Sequence, residues 1–318
     1  MKRAVVVGSG GQDGSLLFDR LERDGCAVVG IERGKTRARG VRERAPVDIL
    51  DRDQVRALVS SFRPDEVYYL AAHHGSSEDG AAEEDLELLE ASHEVHVVGL
   101  LHFLEALRSH RPTASLLYAA SSRIFGDPGS ETQDEDTPLA PRCVYGITKA
   151  YGTSCCRLYR RVHSLRASVG ILYNHESPGR RAGFVSRKIV DGAVDIRLGR
   201  RTHLAVADLG ARVDWGYAPD FVEAMIRIAA MEEPGDFVVA TGVARSVLEF
   251  VEVAFGLAGL DWRKHVVEDP SLVARPSPTL AGNARKLRSI TGWAPSVSFE
   301  EMVGILYRAA CSRGAMGK

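Results

Sequence analysis

The chain has 318 residues, of which 45% are hydrophobic and 26% charged, with 41 basic and 42 acidic residues and a formal net charge of -1. This balance is typical of a folded globular protein, and it excludes a disordered chain or a strongly basic nucleic-acid-binding protein. The length suits two domains, or one large α/β unit with an appendage. Because no run of 18 apolar residues is present, we expect no membrane span and no membrane partner.

Strand and helix patterns alternate through the first half of the chain. Short apolar runs predict strands, and apolar residues three or four apart predict helices. In chain order the predicted elements are a strand at 4–7, a helix at 15–24, a strand at 26–31, a helix at 53–62, a strand at 66–70, a helix at 94–109 and a strand at 115–119. Short strands separated by helices predict a parallel sheet with right-handed crossovers.

The second half is less regular. Helices are predicted at 222–231, 247–257 and 299–309, with a Gly- and Arg-rich loop at 179–183 and a proline-rich connection at 270–278. In the first half, the acid-rich stretch at 76–90 is interpreted as a solvated loop and helix start rather than a cation site.

The cysteines and the N-terminus indicate the compartment. Five cysteines are present, an odd number without the paired spacing of a zinc site. Residues 1–3 lead into a short strand-like run and then glycines, unlike a cleaved signal peptide. We therefore expect a cytoplasmic protein with reduced thiols and no metal.

A glycine-rich loop joins the first strand to the first helix. Gly8, Gly11 and Gly14 form a G-x-x-G-x-x-G pattern. The first glycine permits a tight turn, the second lets the backbone approach a pyrophosphate, and the third lets helix and strand pack closely. The helix N-terminus offers unpaired N–H groups and a positive dipole end to the phosphates. This context, between a strand and a helix, predicts a dinucleotide-binding site.

The end of the second strand bears on the choice of dinucleotide. Glu32 stands where an acidic side chain usually accepts hydrogen bonds from the adenosine ribose and repels a 2′-phosphate. Arg33, with Lys35 and Arg37 beyond it, would attract that phosphate instead. We favour NAD because of Glu32, with NADP as the alternative. Asp48 is assigned either to the adenine edge or to a turn or cap before the next helix.

Tyr145 and Lys149 are four residues apart, so on a helix they share a face. A lysine ammonium beside a phenol, near a positively charged nicotinamide ring, lowers the tyrosine pKa towards neutrality. A phenolate can then take a hydroxyl proton while hydride leaves carbon for the nicotinamide. Together with the glycine loop, this pair predicts a catalytic centre for hydride transfer.

These motifs resemble the extended short-chain dehydrogenases/reductases that act on nucleotide sugars, and within them the GDP-mannose 4,6-dehydratase group. The resemblance covers nearly the whole chain. Widely shared motifs are Gly-Gly-Gln-Asp-Gly-Ser (10–15), Leu-Ala-Ala (70–72), Ser-Ser-Arg-Ile-Phe-Gly (121–126) and Tyr-Gly-Ile-Thr-Lys (145–149). More specific are Tyr-Asn-His-Glu-Ser-Pro (173–178), Phe-Val-Ser-Arg-Lys-Ile (184–189), Asp-Trp-Gly-Tyr-Ala (214–218) and Ala-Thr-Gly (240–242).

We therefore expect an α/β fold with two parts. A Rossmann-type doubly wound parallel sheet forms an NAD(P)-binding domain over 1–172, to which the chain returns around 211–245. A smaller C-terminal α/β domain over 173–318 mainly binds the nucleotide sugar, and the site lies at the carboxyl ends of the strands. The resemblance also implies a homodimer or higher homo-oligomer.

The resemblance assigns site residues. Ser121 becomes the third catalytic residue, whose hydroxyl would position the reacting sugar oxygen against Tyr145. The implied cofactor contacts are Gly8, Gly11, Gln12, Asp13, Gly14, Glu32, Arg33, Asp48, Ile49, Leu70, Ala71, Ala72, Tyr145 and Lys149. The implied substrate contacts are His73, Ser122, Arg123, Asn174, Glu176, Arg180, Val185, Lys188, Arg212 and Arg275. Among the basic residues that would face a diphosphate, Arg187 is a further candidate.

Two departures from the group's pattern affect the substrate site. Val213 stands where the group has an arginine, which leaves the adjacent Arg212 as the candidate. Dehydratases of the superfamily carry a glutamate two residues after the Ser121 position, where it removes the C5 proton so that water leaves from C6. That position is Arg123, and arginine stays protonated and cannot act as the base.

The remaining catalytic groups suffice for reversible oxidation at C4, so our first expectation is a GDP-sugar 4-epimerase that acts through a 4-keto intermediate. The alternatives are a GDP-sugar 4,6-dehydratase with a relocated base, a nucleotide-sugar 4-ketoreductase or dehydrogenase, and a non-catalytic NAD-binding protein. The candidates for a relocated base are Cys143, His73, His74 and Glu176.

Overall fold

The structure, a computed structural model, describes residues 1–40, 46–73, 86–130, 132–272 and 279–316. In chain order its elements begin with β1 (Arg3–Val7), α1 (Gln12–Arg23), β2 (Ala27–Glu32), β3 (Lys35–Arg39), α2 (Arg52–Phe62), β4 (Glu66–Tyr69), α3 (Leu86–His93), α4 (Gly99–His110), β5 (Ser115–Ser121), β6 (Thr132–Gln133), α5 (Val144–His163), β7 (Arg166–Leu172) and β8 (Asn174–Glu176). They continue with α6 (Val185–Arg197), β9 (Leu204–Val206), β10 (Arg212–Tyr217), α7 (Ala218–Ala230), β11 (Asp236–Val239), β12 (Ala244–Ser246), α8 (Val247–Ala258), β13 (Val266–Glu268), β14 (Ala281–Gly282), α9 (Arg285–Thr291) and α10 (Phe299–Met316).

The main sheet has seven strands in the order β11-β7-β5-β4-β1-β2-β3. All neighbouring strands run parallel except β2 and β3. The parallel Rossmann-type sheet is thus confirmed, with a correction at one edge. Only two residues separate β2 from β3, and so short a connection reverses the chain into a hairpin, whereas a parallel crossover needs a dozen residues or more.

Two helical layers accompany this sheet, with α1 packed on α7 and with α4 packed on both α2 and α5. The helix predicted at 94–109 is longer than expected. It begins at α3, passes through a π-helical segment, Glu94–Val98, and continues as α4. Among the helices in the described part of the chain, none combines the length and apolarity that crossing a membrane requires.

The apolar side chains form two separate cores. The larger one fills the space around the main sheet, where the strands β1, β2 and β4 are almost wholly buried. The smaller one lies among α6, α8 and α10, where Trp215 packs on the rings of Phe250 and Phe299 at centroid distances of 5.2 and 6.0 Å. A three-stranded sheet, β12-β10-β8, lies beside it and includes the strand with Asn174 and Glu176.

Local capping explains where several helices begin. Asp51 accepts hydrogen bonds from the backbone N–H groups of Asp53 and Gln54 at 2.9 and 3.0 Å and starts α2. Ser246 and Glu249 form a reciprocal capping box at the start of α8. The helix α5, which bears Tyr145 and Lys149, starts where the Cys143 thiol accepts from the N–H of Gly146 at 3.4 Å.

Candidate active site

The glycine loop packs too closely for side chains. A Cβ on Gly14 would lie 2.1 Å from the carbonyl oxygen of Gly8, and one on Gly8 would lie 2.8 Å from the nitrogen of Ala71. Gly8 also has a φ of +90°, a conformation that L side chains rarely adopt. Gly11 begins α1 without a capping side chain, so the first N–H groups of that helix face the loop. The geometry suits a pyrophosphate held at a helix N-terminus.

Glu32, at the end of β2, faces this loop. Its carboxylate lies 3.4 Å from the Ser9 hydroxyl, and a Cβ on Gly10 would lie 2.7 Å from its Oε2. Arg37 approaches Glu32 at 3.7 Å and stacks on the ring of Phe18 at 4.7 Å. The nearby cation is therefore already paired with the acid.

Six further predicted cofactor contacts have different surroundings. Arg33 is exposed. Asp48 accepts a hydrogen bond from the N–H of Leu50 at 2.9 Å, which is the turn role. Ile49 packs against the main core. Leu70 and Ala71 lie beside the glycine loop, since the Leu70 N–H donates to the carbonyl of Val7 at 2.9 Å, and Ala72 follows them in an exposed position.

The structure brings the three predicted catalytic residues together. Ser121 ends β5, and its hydroxyl is hydrogen-bonded with Tyr145 on α5. The Lys149 ammonium donates to the carbonyl of Ala119 at 2.8 Å and lies 4.9 Å from the ring centroid of Tyr118 and 5.7 Å from that of Tyr145. The ammonium thus faces two aromatic rings and one carbonyl.

Burial dominates the protonation of this cluster. It lowers the pKa of Lys149, whose side chain is only 1% exposed, to about 7. It also raises the pKa of Tyr145, and the negative charge of Asp13 adds to that rise, while Arg180 and the hydrogen bond with Ser121 act in the opposite direction. Among the protein's own groups, burial therefore outweighs the charges that would lower the pKa of Tyr145, and the joint effect of Lys149 and a bound nicotinamide stays a prediction.

A buried histidine supports the reactive tyrosine. The Nε2 atom of His96 accepts from the backbone N–H of His73 at 3.0 Å, so the other ring nitrogen bears the proton and faces the Thr148 hydroxyl at 2.7 Å. The His96 ring meets Tyr145 edge-on at 5.3 Å. His73 is thus held through its main chain, and His74 lies outside the described residues.

The predicted substrate side centres on Glu176. This carboxylate is buried, accepts from the Ser186 hydroxyl at 2.6 Å and lies 3.2 Å from the guanidinium of Arg180. Burial raises the pKa of Glu176, although the charge of Arg180 opposes the rise. Arg180 stacks on Phe184 at 3.6 Å. Asn174, at the start of the same strand, is exposed.

The other basic candidates are arranged differently from one another. Arg187 pairs with Asp191 and donates to the carbonyl of Arg180 at 2.8 Å, so it holds the 179–183 loop. Lys188 is half-buried on the first turn of α6, and Val185 packs on the smaller core. Arg212 is tied to the carbonyl of Ala244 at 2.7 Å, and Arg275 lies outside the described residues.

Sequence reasoning assigns no role to His175, although the motif that holds Asn174 and Glu176 also holds this residue. The structure buries it between Asp13, 2.9 Å from its Nε2, and the carbonyl of Tyr173, 2.6 Å from its Nδ1. The only signal for His175 in the sequence is that it is a polar residue inside a specific motif. Its partner Asp13 cannot be inferred from the sequence, because the two residues are 162 positions apart.

Comparison with known proteins decides the family. The model of the GDP-mannose 4,6 dehydratase family matches residues 5–306. The chain belongs to this family. GDP-mannose 4,6 dehydratase 2 of Arabidopsis thaliana is 35% identical over 327 residues, which cover 96% of this chain and 86% of that protein.

Solved structures share the fold of this GDP-mannose 4,6 dehydratase family member. RMD from Pseudomonas aeruginosa, complexed with NADPH, superposes with a TM-score of 0.82 at 21% identity, covering 98% of this chain and 100% of that one. UDP-glucose 4-epimerase of Thermus thermophilus, complexed with NAD, has a TM-score of 0.77 at 24% identity, covering 98% and 99%. The chain therefore has the fold of the extended short-chain dehydrogenases/reductases.

Because the chain belongs to this family, the arginine at position 123 is a clear departure from the superfamily's dehydratase pattern. This residue lies on a 3₁₀ turn, Ser122–Phe125, that follows Ser121 directly, with Ser122 buried beside it. The turn contains no carboxylate, so the site differs from the superfamily's dehydratase pattern where that pattern has its base. In the part of the chain that the structure describes, no cluster of three or more His, Cys, Asp or Glu side chains is arranged to hold a metal ion.

Proposed function

We propose that this chain oxidises C4 of a GDP-linked sugar, eliminates water across C5 and C6, and then returns the hydride to C6 as C5 takes up a proton, as a GDP-sugar 4,6-dehydratase. The observation that carries the proposal is the meeting of Ser121, Tyr145 and Lys149 at the carboxyl end of β5, in a chain that matches this family over residues 5–306. Sequence analysis favours 4-epimerisation first, but the family and its curated relatives support the dehydratase alternative more strongly.

A nicotinamide dinucleotide fits the glycine loop. The space that a Cβ on Gly8 or Gly14 would fill is closed by backbone atoms, so the phosphates can approach only main-chain N–H groups there. We propose NAD rather than NADP, because Glu32 faces the loop and is paired with Arg37. When bound, the nicotinamide supplies a hydride acceptor.

The chain's own residues have different roles in the oxidation at C4. Ser121 holds the sugar oxygen against Tyr145, and Tyr145 takes the hydroxyl proton as hydride leaves the carbon. Burial lowers the pKa of Lys149 to about 7, so its amine can take up or release a proton near neutral pH. This amine lies 5.7 Å from the ring centroid of Tyr145. Because burial raises the pKa of Tyr145, loss of its proton needs a further positive charge nearby, which a bound oxidised nicotinamide would supply.

Glu176 is our candidate for the relocated base. It is a buried carboxylate whose pKa is raised by burial, which brings its basicity closer to that of a general base working near neutral pH. Of the other candidates in the described part of the chain, the Cys143 thiol already caps α5, and only the main chain of His73 has a described hydrogen-bond partner, His96. We infer that Glu176 removes the C5 proton. The role of Glu176 and the oxidation at C4 are independent proposals, and each can be refuted without the other.

A 4-epimerase is the second candidate, and Arg123 is the observation that favours it. Without a carboxylate two residues after Ser121, the 4-keto sugar would be re-reduced on its other face instead of losing water. Incubation of the purified chain with GDP-mannose and longer GDP-aldoses in D2O separates the two. Dehydration gives a product lighter by one water with one solvent deuterium at C5, whereas epimerisation gives an isomer without deuterium.

Three variants complete this test. Tyr145→Phe is expected to abolish turnover while dinucleotide binding remains. Glu176→Gln is expected to stop dehydration, whereas Glu252→Gln, an exposed site on α8, changes nothing. A chain that neither binds a dinucleotide nor converts any GDP-sugar would contradict the proposed function, and full dehydration by Glu176→Gln would exclude that residue as the base.

We also infer a homo-oligomer from the outer face of α5. Ile147, Tyr151, Leu158 and Val162 are exposed there, and their spacing places them on one side of the helix. An exposed apolar stripe of this kind marks a protein–protein contact more often than a solvated surface.

A further inference from the structure

His175 lies between two hydrogen-bond acceptors. Its Nε2 is 2.9 Å from a carboxylate oxygen of Asp13, and its Nδ1 is 2.6 Å from the carbonyl oxygen of Tyr173. A neutral imidazole bears one N–H and cannot donate to both. The residue is only 8% exposed, and its ring stacks on Phe221 at a centroid distance of 4.5 Å.

The same geometry has two protonation patterns, and the surrounding charges select one. The proton shared with Asp13 belongs either to an imidazolium or to a protonated carboxyl. Burial alone would lower the pKa of His175, but the Asp13 charge and the two hydrogen bonds raise it overall. Burial alone would raise the pKa of Asp13, but His175 and the amide of Gln12 lower it overall. The charged pair is therefore favoured.

A second set of hydrogen bonds runs parallel to this ion pair. The Gln12 amide donates to the carbonyl of His175 at 3.0 Å, and its oxygen accepts from the Ser177 hydroxyl at 2.9 Å. We call Gln12, Asp13, His175 and Ser177 the α1–β8 junction. It joins the first turn of α1, which overlaps the end of the glycine pattern, to the strand that bears Asn174 and Glu176.

Charges of alternating sign surround the junction. Glu176 follows His175 on the strand, and Arg180 pairs with Glu176 at 3.2 Å. Arg180 acts against the positive charge of His175, whereas Asp13 supports it. Asp13 and Arg180 both also act on the Tyr145 phenol. Loss of the His175 charge would leave the half-buried carboxylate of Asp13 without its main partner, and a charge that is partly desolvated and unpaired is costly.

We propose that His175 is a positioning residue held as an imidazolium. Its ion pair with Asp13 fixes the glycine loop against β8, so that the bound dinucleotide and the bound sugar nucleotide lie at the relative positions that hydride transfer requires. The sugar-nucleotide half of this statement rests on the proposed function, and the dinucleotide half does not. Deprotonation of His175 removes one of its two N–H groups, so either Tyr173 or Asp13 loses its hydrogen bond. Dinucleotide affinity is therefore expected to fall as the pH rises through the pKa of His175.

Two substitutions separate the charge from the hydrogen bonds. In Asp13→Asn the new amide can donate to Nε2 while Nδ1–H stays on the Tyr173 carbonyl, so both bonds remain and the charges disappear. His175→Gln removes the ring altogether. His203→Gln, at an exposed histidine, is the matched control.

Nitrogen-15 NMR of labelled histidine, with His175 identified from the signal missing in His175→Gln, tests the charge directly. The full chain is expected to show both His175 nitrogens protonated at neutral pH, and Asp13→Asn to show only one. Titration with NAD from about pH 6 to 9 is expected to give affinity that falls with pH in the full chain and in His203→Gln. In His175→Gln we expect affinity weaker by about tenfold, at the lower end of couplings between sites, with the pH dependence gone.

The outcomes are separable. A neutral His175 at neutral pH overturns the inference whatever the enzyme does, and so does the same pH profile in His175→Gln as in the full chain. A merely structural role would lower the unfolding temperature of His175→Gln without changing that profile. If His175 is an imidazolium and NAD binding follows its titration, but no GDP-sugar is converted, the junction stands and the proposed function fails.

Discussion

Replacing Lys149 by Met should make the protein both more stable and inactive. The lysine is 1% exposed, and burial lowers its pKa from the ordinary 10.5 to about 7. Methionine has a similar length and no charge to desolvate, and substitution of apolar residues for buried charges is often neutral or stabilising. Activity should be lost because the ammonium beside the Tyr145 ring is gone.

The expected gain follows from the pKa. At 1.36 kcal/mol per pKa unit, a fall from 10.5 to about 7 disfavours the buried ammonium by about 5 kcal/mol below pH 7, and by about 4 kcal/mol at pH 7 where the folded form is half protonated. The lost hydrogen bond to Ala119 and the two ring contacts offset about 2 kcal/mol. A net gain of about 2 kcal/mol at pH 7 corresponds to a rise in Tm of about 3 °C for a chain of this length.

The pH dependence gives the sharper test. Between about pH 7 and 10.5 the unfolded chain still binds a proton at Lys149 that the folded chain has released, so the stability of the unsubstituted chain rises with pH in this window. The advantage of Lys149→Met should therefore be largest at and below pH 7 and shrink towards pH 10. Denaturant unfolding at several pH values measures it, with the exposed Lys264→Met as control. An advantage that stays constant across this window, or a variant less stable at pH 6.5, would refute the reasoning.

Three further predictions concern the dinucleotide site and the oligomer. Gly14→Ala should abolish NAD binding in a fluorescence titration, because its Cβ would lie 2.1 Å from a carbonyl oxygen. The control Gly256→Ala, which has open space on α8, should keep NAD binding and add about 1 kcal/mol of stability. Retained binding in Gly14→Ala would contradict the packing argument. Glu32→Gln should move the NAD-to-NADP affinity ratio about tenfold towards NADP, and an unchanged ratio would show that this carboxylate does not read the ribose. Leu158→Glu should shift sedimentation towards the monomer while Leu257→Glu, also 45% exposed, should not; a chain already monomeric at micromolar concentration would remove the basis for that contact.

Much of the main sheet can be predicted because its signal is local. The buried strands β1, β2, β4 and β5 are short apolar runs, and each lies within two residues of its predicted bounds. The strand β3 escapes prediction because Lys35–Arg39 alternates basic and small residues without an apolar run. Its strand conformation comes from pairing with β2, and the strands of two or three residues likewise exist only through their partners.

The candidate site divides in the same way. The glycine loop and the Tyr145–Lys149 spacing are local patterns, since a turn between strand and helix and a four-residue helical interval need no distant residue. The sequence also determined that Arg123 is no base, because a guanidinium stays charged in any fold.

How the buried groups are protonated depends on the folded structure. The direction of the Lys149 pKa and the charge of His175 both depend on burial and on partners that the chain brings together from far apart, Ala119 in one case and Asp13 in the other. Desolvation and ion pairing act through space over a few ångströms. A sequence therefore specifies which titratable groups exist, but the packed core determines which of them bear charge.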